Sequence, residues 1–338
     1  TDGGILYDGR RERRERSLQD VLRDLERDPS SANLGDGTRM ARAAHMAGTL
    51  LRSDPSAKRV RRLIIITDGI IEDRVEALRE LEEIRNLGVA ATTIGVGQEF
   101  DEEFLTRIAD WTGGGYQYAP RAEDIQARLT EDFGVFHSVA ARDLTVSARG
   151  LSGAVVSSVT QLTPQMRMFE EIRLKGDWFQ VEVGDVSGAV GLGLMGEFSM
   201  PWLALGKHPV GEVQLDWLDP KGEKSHTRNH MVYMDCLPLD SPMPQVDPEV
   251  EEMFLRLQVY RAERAAQWAQ EGGRPGLSTV RLREASEILS RLGERELAER
   301  FERQAMDVEA EKVDSDRTKT IKDWVRRLAQ RRTKGEEE

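Results

Sequence analysis

At 338 residues the chain exceeds what one ordinary core organises, so two or three compact units are expected. A formal net charge of -12 excludes a general binder of the phosphate backbone, which needs a clustered positive field, so nucleic acid is not an expected partner. The single cysteine, Cys236, excludes an intrachain disulfide and a cysteine-built zinc site, and no run reaches the ~20 apolar residues that cross a bilayer. A protein of the reducing cytoplasm, with no membrane contact, is the expectation. Thr1 to Gly9 has neither the basic start nor the apolar stretch of a targeting segment.

From Leu6 to about Phe133, strand-like and helix-like segments alternate, the pattern of a parallel sheet covered by helices. Leu63 to Ile66 is a continuous apolar run, as in a strand buried on both faces. Val75, Leu78, Leu81 and Ile84 recur at helical spacing before Gly88, a helix stop. A strand over Val89 to Val96 follows, then a short helix from Asp101 with Phe104, Leu105 and Ile108 on one face. Thr112-Gly113-Gly114-Gly115 reads as a turn rather than a phosphate cradle because it follows a helix. Tyr116 to Tyr118 is a short strand, and Ala122 to Phe133 a helix.

Beyond Phe136 the segments become short and alternating: Asp143 to Ala148, Ala154 to Leu162, Met168 to Leu174, Trp178 to Val183, Ala189 to Phe198, Val210 to Trp217 and Asn229 to Cys236. Turn residues between them punctuate an antiparallel β-sandwich. The proline-rich stretch Pro238 to Pro248 marks a boundary, and helical periodicity follows. Its faces are Met253, Phe254, Leu257 and Tyr260, then Leu282, Ala285, Leu289 and Leu292. Leu297, Phe301 and Met306 form the third, and Ile321, Trp324, Val325 and Leu328 the last. Large side chains such as Trp268, Phe301 and Trp324 are expected to bury within the chain. The fold class expected is α/β with an antiparallel sandwich and a helical region, divided at 1–136, 137–238 and 247–333.

The chemistry concentrates in two segments. Leu34-Gly35-Asp36-Gly37-Thr38 sets a hydroxyl before a helix, and Leu63-Ile64-Ile65-Ile66-Thr67-Asp68-Gly69 sets a carboxylate where a buried strand runs out. In an open parallel sheet, ligands bind at the carboxyl ends of the strands. Together with Thr92-Thr93-Ile94-Gly95-Val96-Gly97 and the helix and turn from Phe104 to Tyr116, these segments resemble von Willebrand factor A domains over roughly Leu34 to Phe133. The resemblance implies a metal-ion-dependent adhesion site holding magnesium or manganese, with Thr38 bound through its hydroxyl and Asp68 directly or through water. A small hard cation prefers such oxygen ligands and exchanges a water for a partner's carboxylate. The family's first element, Asp-x-Ser-x-Ser, has no match from Thr1 to Leu34. The first strand and helix are therefore expected to precede Thr1, and this form to bind metal weakly or not at all.

Other candidates read as ordinary structure. Asp185-Val186-Ser187-Gly188-Ala189 only partly matches the missing element and is expected to be a tight turn. His226 and His230 are expected to be surface residues, His45 to pack beside Met46, and His137 and His208 to have no catalytic companion. The basic runs Arg10 to Arg16 and Arg326 to Arg332 are expected to be solvated helix faces, with docking to an acidic protein groove as the alternative. The function implied is a non-catalytic adaptor that binds a protein partner, with an AAA-type ATPase as the partner class suggested by similar domain arrangements. The alternatives are a non-catalytic subunit of a chelatase-like assembly and a scaffold with an inactive metal site.

Overall fold

The computed structural model describes residues 38–53, 61–136, 138–169, 172–242, 245–310 and 315–328. Its first unit alternates α1 (Met40–Arg52), β1 (Arg62–Thr67), α2 (Arg74–Asn86), β2 (Ala90–Val96), α3 (Glu102–Thr112), β3 (Tyr116–Ala119) and α4 (Ile125–Phe136). The three strands form a parallel sheet in the order β1-β2-β3, with Ile64 opposite Thr92 and Thr93 opposite Tyr116. The core gathers Met40, Ala44, Leu81, Ile84, Phe104, Leu105 and Ile108 around the buried tyrosines 116 and 118.

Two expectations change here. The strand covered on both faces is β2; β1 has a partner on one side only among the described residues, and Ile66 is exposed. Val75, at the exposed start of α2, also stays outside the core. Gly88 ends α2 as expected, adopting φ 68. The glycine turn after α3 is a packing device: a Cβ on Gly114 would stand 2.0 Å from the Ala91 carbonyl oxygen.

The second unit stacks a five-stranded antiparallel sheet, β11-β10-β4-β8-β7, against a three-stranded one, β6-β5-β9. These strands are β4 (Val139–Gly150), β5 (Val155–Thr163), β6 (Arg167–Met168), β7 (Arg173–Lys175), β8 (Trp178–Ser187), β9 (Gly193–Ser199), β10 (Gly206–Leu218) and β11 (Ser225–Cys236). Leu144, Val146, Val159, Phe179, Val181 and Val183 are its core. The strand expected over Met168 to Leu174 is instead two, because the chain leaves one sheet after β6 and enters the other at β7. The strand expected from Ala189 begins only at Gly193. Of the turn expected over Asp185 to Ala189, Gly188 and Ala189 do turn, while Asp185 to Ser187 is the end of β8: Ser187 pairs with Val139, and its hydroxyl meets that of Ser138 at 2.6 Å. His226 and His230 lie exposed on β11, with His226 stacked on Trp217.

Residues 237–242 and 245–247 join β11 to the helices without forming a strand. Pro248 takes the first position of α5 (Pro248–Glu271), and the Asp247 carboxylate accepts from the Glu249 amide at 2.8 Å. Then come α6 (Pro275–Arg291), α7 (Arg295–Glu309) and α8 (Ser315–Arg326). Their core of Leu257, Tyr260, Leu282, Leu289, Leu297, Phe301, Ile321 and Val325 includes Leu162 and Met166, so the helices pack onto the sandwich. The buried arc of α5, at 100° per residue, is centred on Arg256, Val259 and Glu263. Phe254 and Trp268 fall on the opposite side and are exposed, against expectation. Met306 is likewise exposed on α7.

The largest correction concerns the basic end of α8. Arg326 is 3% exposed and grips both carboxylate oxygens of Asp110 on α3, one of them at 3.1 Å. Its carbonyl accepts from the Met166 amide at 2.7 Å. Arg167, whose pKa burial pulls down to about 10, donates to the carbonyls of Asp110 (3.0 Å) and Val183 (2.7 Å) and to Gln161 (2.9 Å). Higher on α8, Lys322 lies 3.6 Å from Glu102, and Lys319 reaches the Gln98 carbonyl over the Phe100 ring. One buried polar seam thus joins all three units.

A second tie is testable by pH. Glu197 on β9 pairs with Arg261 on α5 and accepts from Ser158, and the Arg261 bond, then the Ser158 bond, draws its pKa down to about 2. A depressed carboxylate stabilises the fold above its unfolded pKa of ~4.3, and that contribution fades as pH falls toward 2. The pair is partly solvated, which reduces the effect to about 1–2 kcal/mol. Glu197→Gln should therefore melt below the parent protein at pH 7, and the gap should close between about pH 4.5 and 2. A gap independent of pH would rule out the ion pair as its cause.

Candidate metal centre

Thr38 and the loop after β1 are laced together by short contacts. Thr38 forms a parallel bridge with Ile71, and its carbonyl accepts from the Glu72 amide at 3.0 Å. The next residue, Arg39, pairs with Glu72 at 3.4 Å. Asp73 occupies the residue before α2, yet its carboxylate accepts from Met40 (2.8 Å) and Ala41 (3.0 Å) at the start of α1. The positive end of α1 is therefore satisfied by Asp73 rather than by Thr38. No side-chain cap comes from Arg39.

This arrangement sets Thr38 beside Asp68-Gly69 at the carboxyl end of β1. A Cβ on Gly69 would stand 2.5 Å from Thr38 Oγ1, so the chain passes close to the hydroxyl and a larger residue there would make the Thr38 side chain shift. Asp68 is exposed. Within the described residues, neither the Thr38 hydroxyl nor the Asp68 carboxylate has a hydrogen bond or ion pair. Both are hard oxygen donors, the type that a small divalent cation selects. They are two donors only, and no group of three or more His, Cys, Asp or Glu suited to a metal occurs among the described residues.

Two features of this edge were not singled out from sequence. Asp73 looks like a cap for its own helix, and its nonlocal role leaves no local signal. Arg74 reaches Asp101 at 2.6 Å, joining the loop after β1 to the one after β2, while Asp101 caps α3 through the Phe104 amide at 3.3 Å. The residues weighed as bystanders stay apart from this edge. His45 is exposed and meets Glu80 at 2.9 Å instead of packing beside Met46, and His208 meets the Ala204 carbonyl at 2.8 Å. His137 and Arg10 to Arg16 lie outside the described residues. A cleft of about 360 Å³ between the first unit and the sandwich is lined by Arg85, Trp111, Asp143 and Asp185. It opens at the amino end of β2, away from Thr38 and Asp68, and burial raises the pKa of Asp185 within it.

An open parallel sheet with helices about it defines a Rossmann-like α/β domain. Residues 6–131 match the family model of the von Willebrand factor type A domain, and residues 248–331 that of the Sll0103-like, C-terminal alpha-helical domain. The chain thus carries a von Willebrand factor type A domain and, after a β-sandwich, a Sll0103-like helical domain. The uncharacterized protein sll0103 of Synechocystis sp. is 23% identical over 228 residues, which cover 66% of this chain and 54% of that protein. The chain spans about half the length of that relative. Among solved structures, a von Willebrand factor type A protein from Catenulispora acidiphila aligns with TM-score 0.72 at 16% identity, covering 92% of this chain and 75% of that one. The human COPII-coat protein Sec24c aligns with TM-score 0.52 at 12% identity, over 96% of this chain and 46% of that one. At these identities the likeness is one of fold. The family match begins well before Leu34, in residues outside those described.

Proposed function

We propose that this protein is a non-catalytic cytoplasmic adaptor that captures an Asp or Glu side chain of a partner protein through magnesium or manganese at Thr38 and Asp68. The observation behind this reading is the juxtaposition of Thr38 and Asp68-Gly69 at an exposed sheet edge, with neither donor engaged by the described residues. A bound cation supplies a hard electrophile that keeps several waters and exchanges one for a carboxylate. Thr38 contributes its hydroxyl oxygen and Asp68 a carboxylate oxygen. Asp73 holds the start of α1 against the same loop, which fixes Thr38 relative to Asp68. An AAA-type ATPase is the partner class proposed.

Two protein oxygens support only weak binding by themselves. Manganese, followed by water-proton relaxation, should bind with Kd on the order of 10⁻³ M. Thr38→Ala or Asp68→Ala should weaken it by about tenfold or more. Neither variant should lower the melting temperature appreciably, because both positions lie at the loop end rather than in the core. Unchanged binding in both variants would move the site elsewhere. No binding by the parent protein would leave the scaffold with an inactive site as the better reading.

A further inference from the structure

We propose that the cleft between the von Willebrand factor type A domain and the helical domain binds a primary ammonium group, with Glu263 as its anchor. The cleft, about 190 Å³, lies between α3, α5 and α8, and Thr106, Tyr260, Glu263, Trp268 and Arg326 line it. Glu263 is 6% exposed, and it has no hydrogen bond or ion pair among the described residues. Two further groups of the same lining are buried without a partner, the Thr106 hydroxyl and Arg326 Nε. The Glu263 carboxylate and the Thr106 hydroxyl oxygen can both accept from one ligand, whereas Arg326 Nε is a donor and is left to water.

Most of the surrounding cations are engaged, Arg107 of the same lining excepted. Asp110 pairs with Arg326, and Glu102 with Lys322, the cation that acts most strongly on Glu263. Arg264 donates to the Tyr260 hydroxyl at 3.2 Å and covers one face of Trp268 at 5.4 Å. Burial pushes the Glu263 carboxyl pKa up and outweighs the opposing pull of Lys322, Arg264 and Arg326. A carboxylate with no hydrogen-bond donor calls for a cationic donor, and Glu103 and Glu271 of the same lining add to that attraction against Arg107. An ammonium has three donors and no acceptor. One donor serves the Glu263 carboxylate and a second the Thr106 hydroxyl oxygen. The space has room for several waters, which suits an alkylammonium. Trp268, 60% exposed and lining the cleft, supplies apolar surface for the alkyl chain. Such an ammonium belongs either to a free amine or to a lysine side chain of a partner.

Titration calorimetry on the full chain tests this with two probes, 1,4-diaminobutane and Nα-acetyl-lysine amide, and with tetramethylammonium as a cation without N–H donors. Saturable one-to-one binding of at least one primary amine is expected, with none of tetramethylammonium. Glu263→Gln should weaken it by about tenfold or more, and Thr106→Val by several-fold. Glutamine preserves the shape, and the melting temperature of that variant should not fall, since a buried unpaired carboxyl is being removed. Tighter binding of diaminobutane identifies a free amine as the source, and tighter binding of the lysine probe a partner's side chain. Absence of saturable binding of both amines to the parent protein, or equal binding by Glu263→Gln with its fold intact, overturns the proposal.

Discussion

Asp110→Ala is expected to destabilise the protein by about 3–5 kcal/mol, because it removes one partner of a buried ion pair and strands the other. Arg326 is 3% exposed, and the Asp110 carboxylate is the acid that both of its terminal nitrogens contact. Burial alone would disfavour the charge on Arg326; the Asp110 carboxylate outweighs it and holds the guanidinium pKa above its ordinary value. The bond from Arg167 to Asp110 ends on the backbone carbonyl, so alanine leaves it intact and the substitution isolates the carboxylate. Urea unfolding at pH 7 should show the loss. Asp110→Ala combined with Arg326→Met should recover more than half of it, since replacing a whole buried pair with apolar groups is often close to neutral. A single-variant cost under about 1 kcal/mol, the range of exposed pairs, would mean that the seam is open to water in solution.

Phe301→Ala is expected to cost about 3–5 kcal/mol as well, for a different reason. Phe301 is fully buried on α7, among Leu282, Leu289, Leu297 and Val325, and close-packed neighbours relax only partly into the cavity left behind. Met306 is its internal control. It lies five residues further along the same helix, 53% exposed, and Met306→Ala should stay within about 0.5 kcal/mol of the parent protein. Thermal melts of the two variants separate burial from helix propensity, which changes in the same direction in both. Equal losses would contradict the assignment of Phe301 to the core that joins helices and sandwich.

The two segments that carry the candidate metal centre were legible because their signals are local. A β-branched run ending in Thr67-Asp68-Gly69 places a carboxylate at the end of a strand whatever the rest of the chain does. Glycine before and after such a site reports a backbone constraint, as Gly69 does against Thr38. The seam was not legible. Arg326 sits in a run of bases followed by acids, the usual composition of a solvated face, and its burial depends on an aspartate 216 positions earlier. Asp73 reads locally as the cap of its own helix and serves another one. The split of one expected strand into β6 and β7 has the same origin, since alternation shows which side chains face inward but not which sheet the backbone joins.

The sequence by itself determined the kinds of elements and their order, and motif order implied that Thr38 would lie near the loop that carries Asp68 and Gly69. Periods of 2 and about 3.6 are properties of the backbone over a few residues, and a strand or helix obeys them before it finds a neighbour. Only the tertiary structure decided that ion pairs tie α8 to α3, that the helices share a core with the sandwich, and that the buried Glu263 carboxylate lines an open cleft with no hydrogen bond among the described residues. Those outcomes follow from which surfaces exclude water from one another, and a charged side chain carries no local mark of whether it will be solvated or paired.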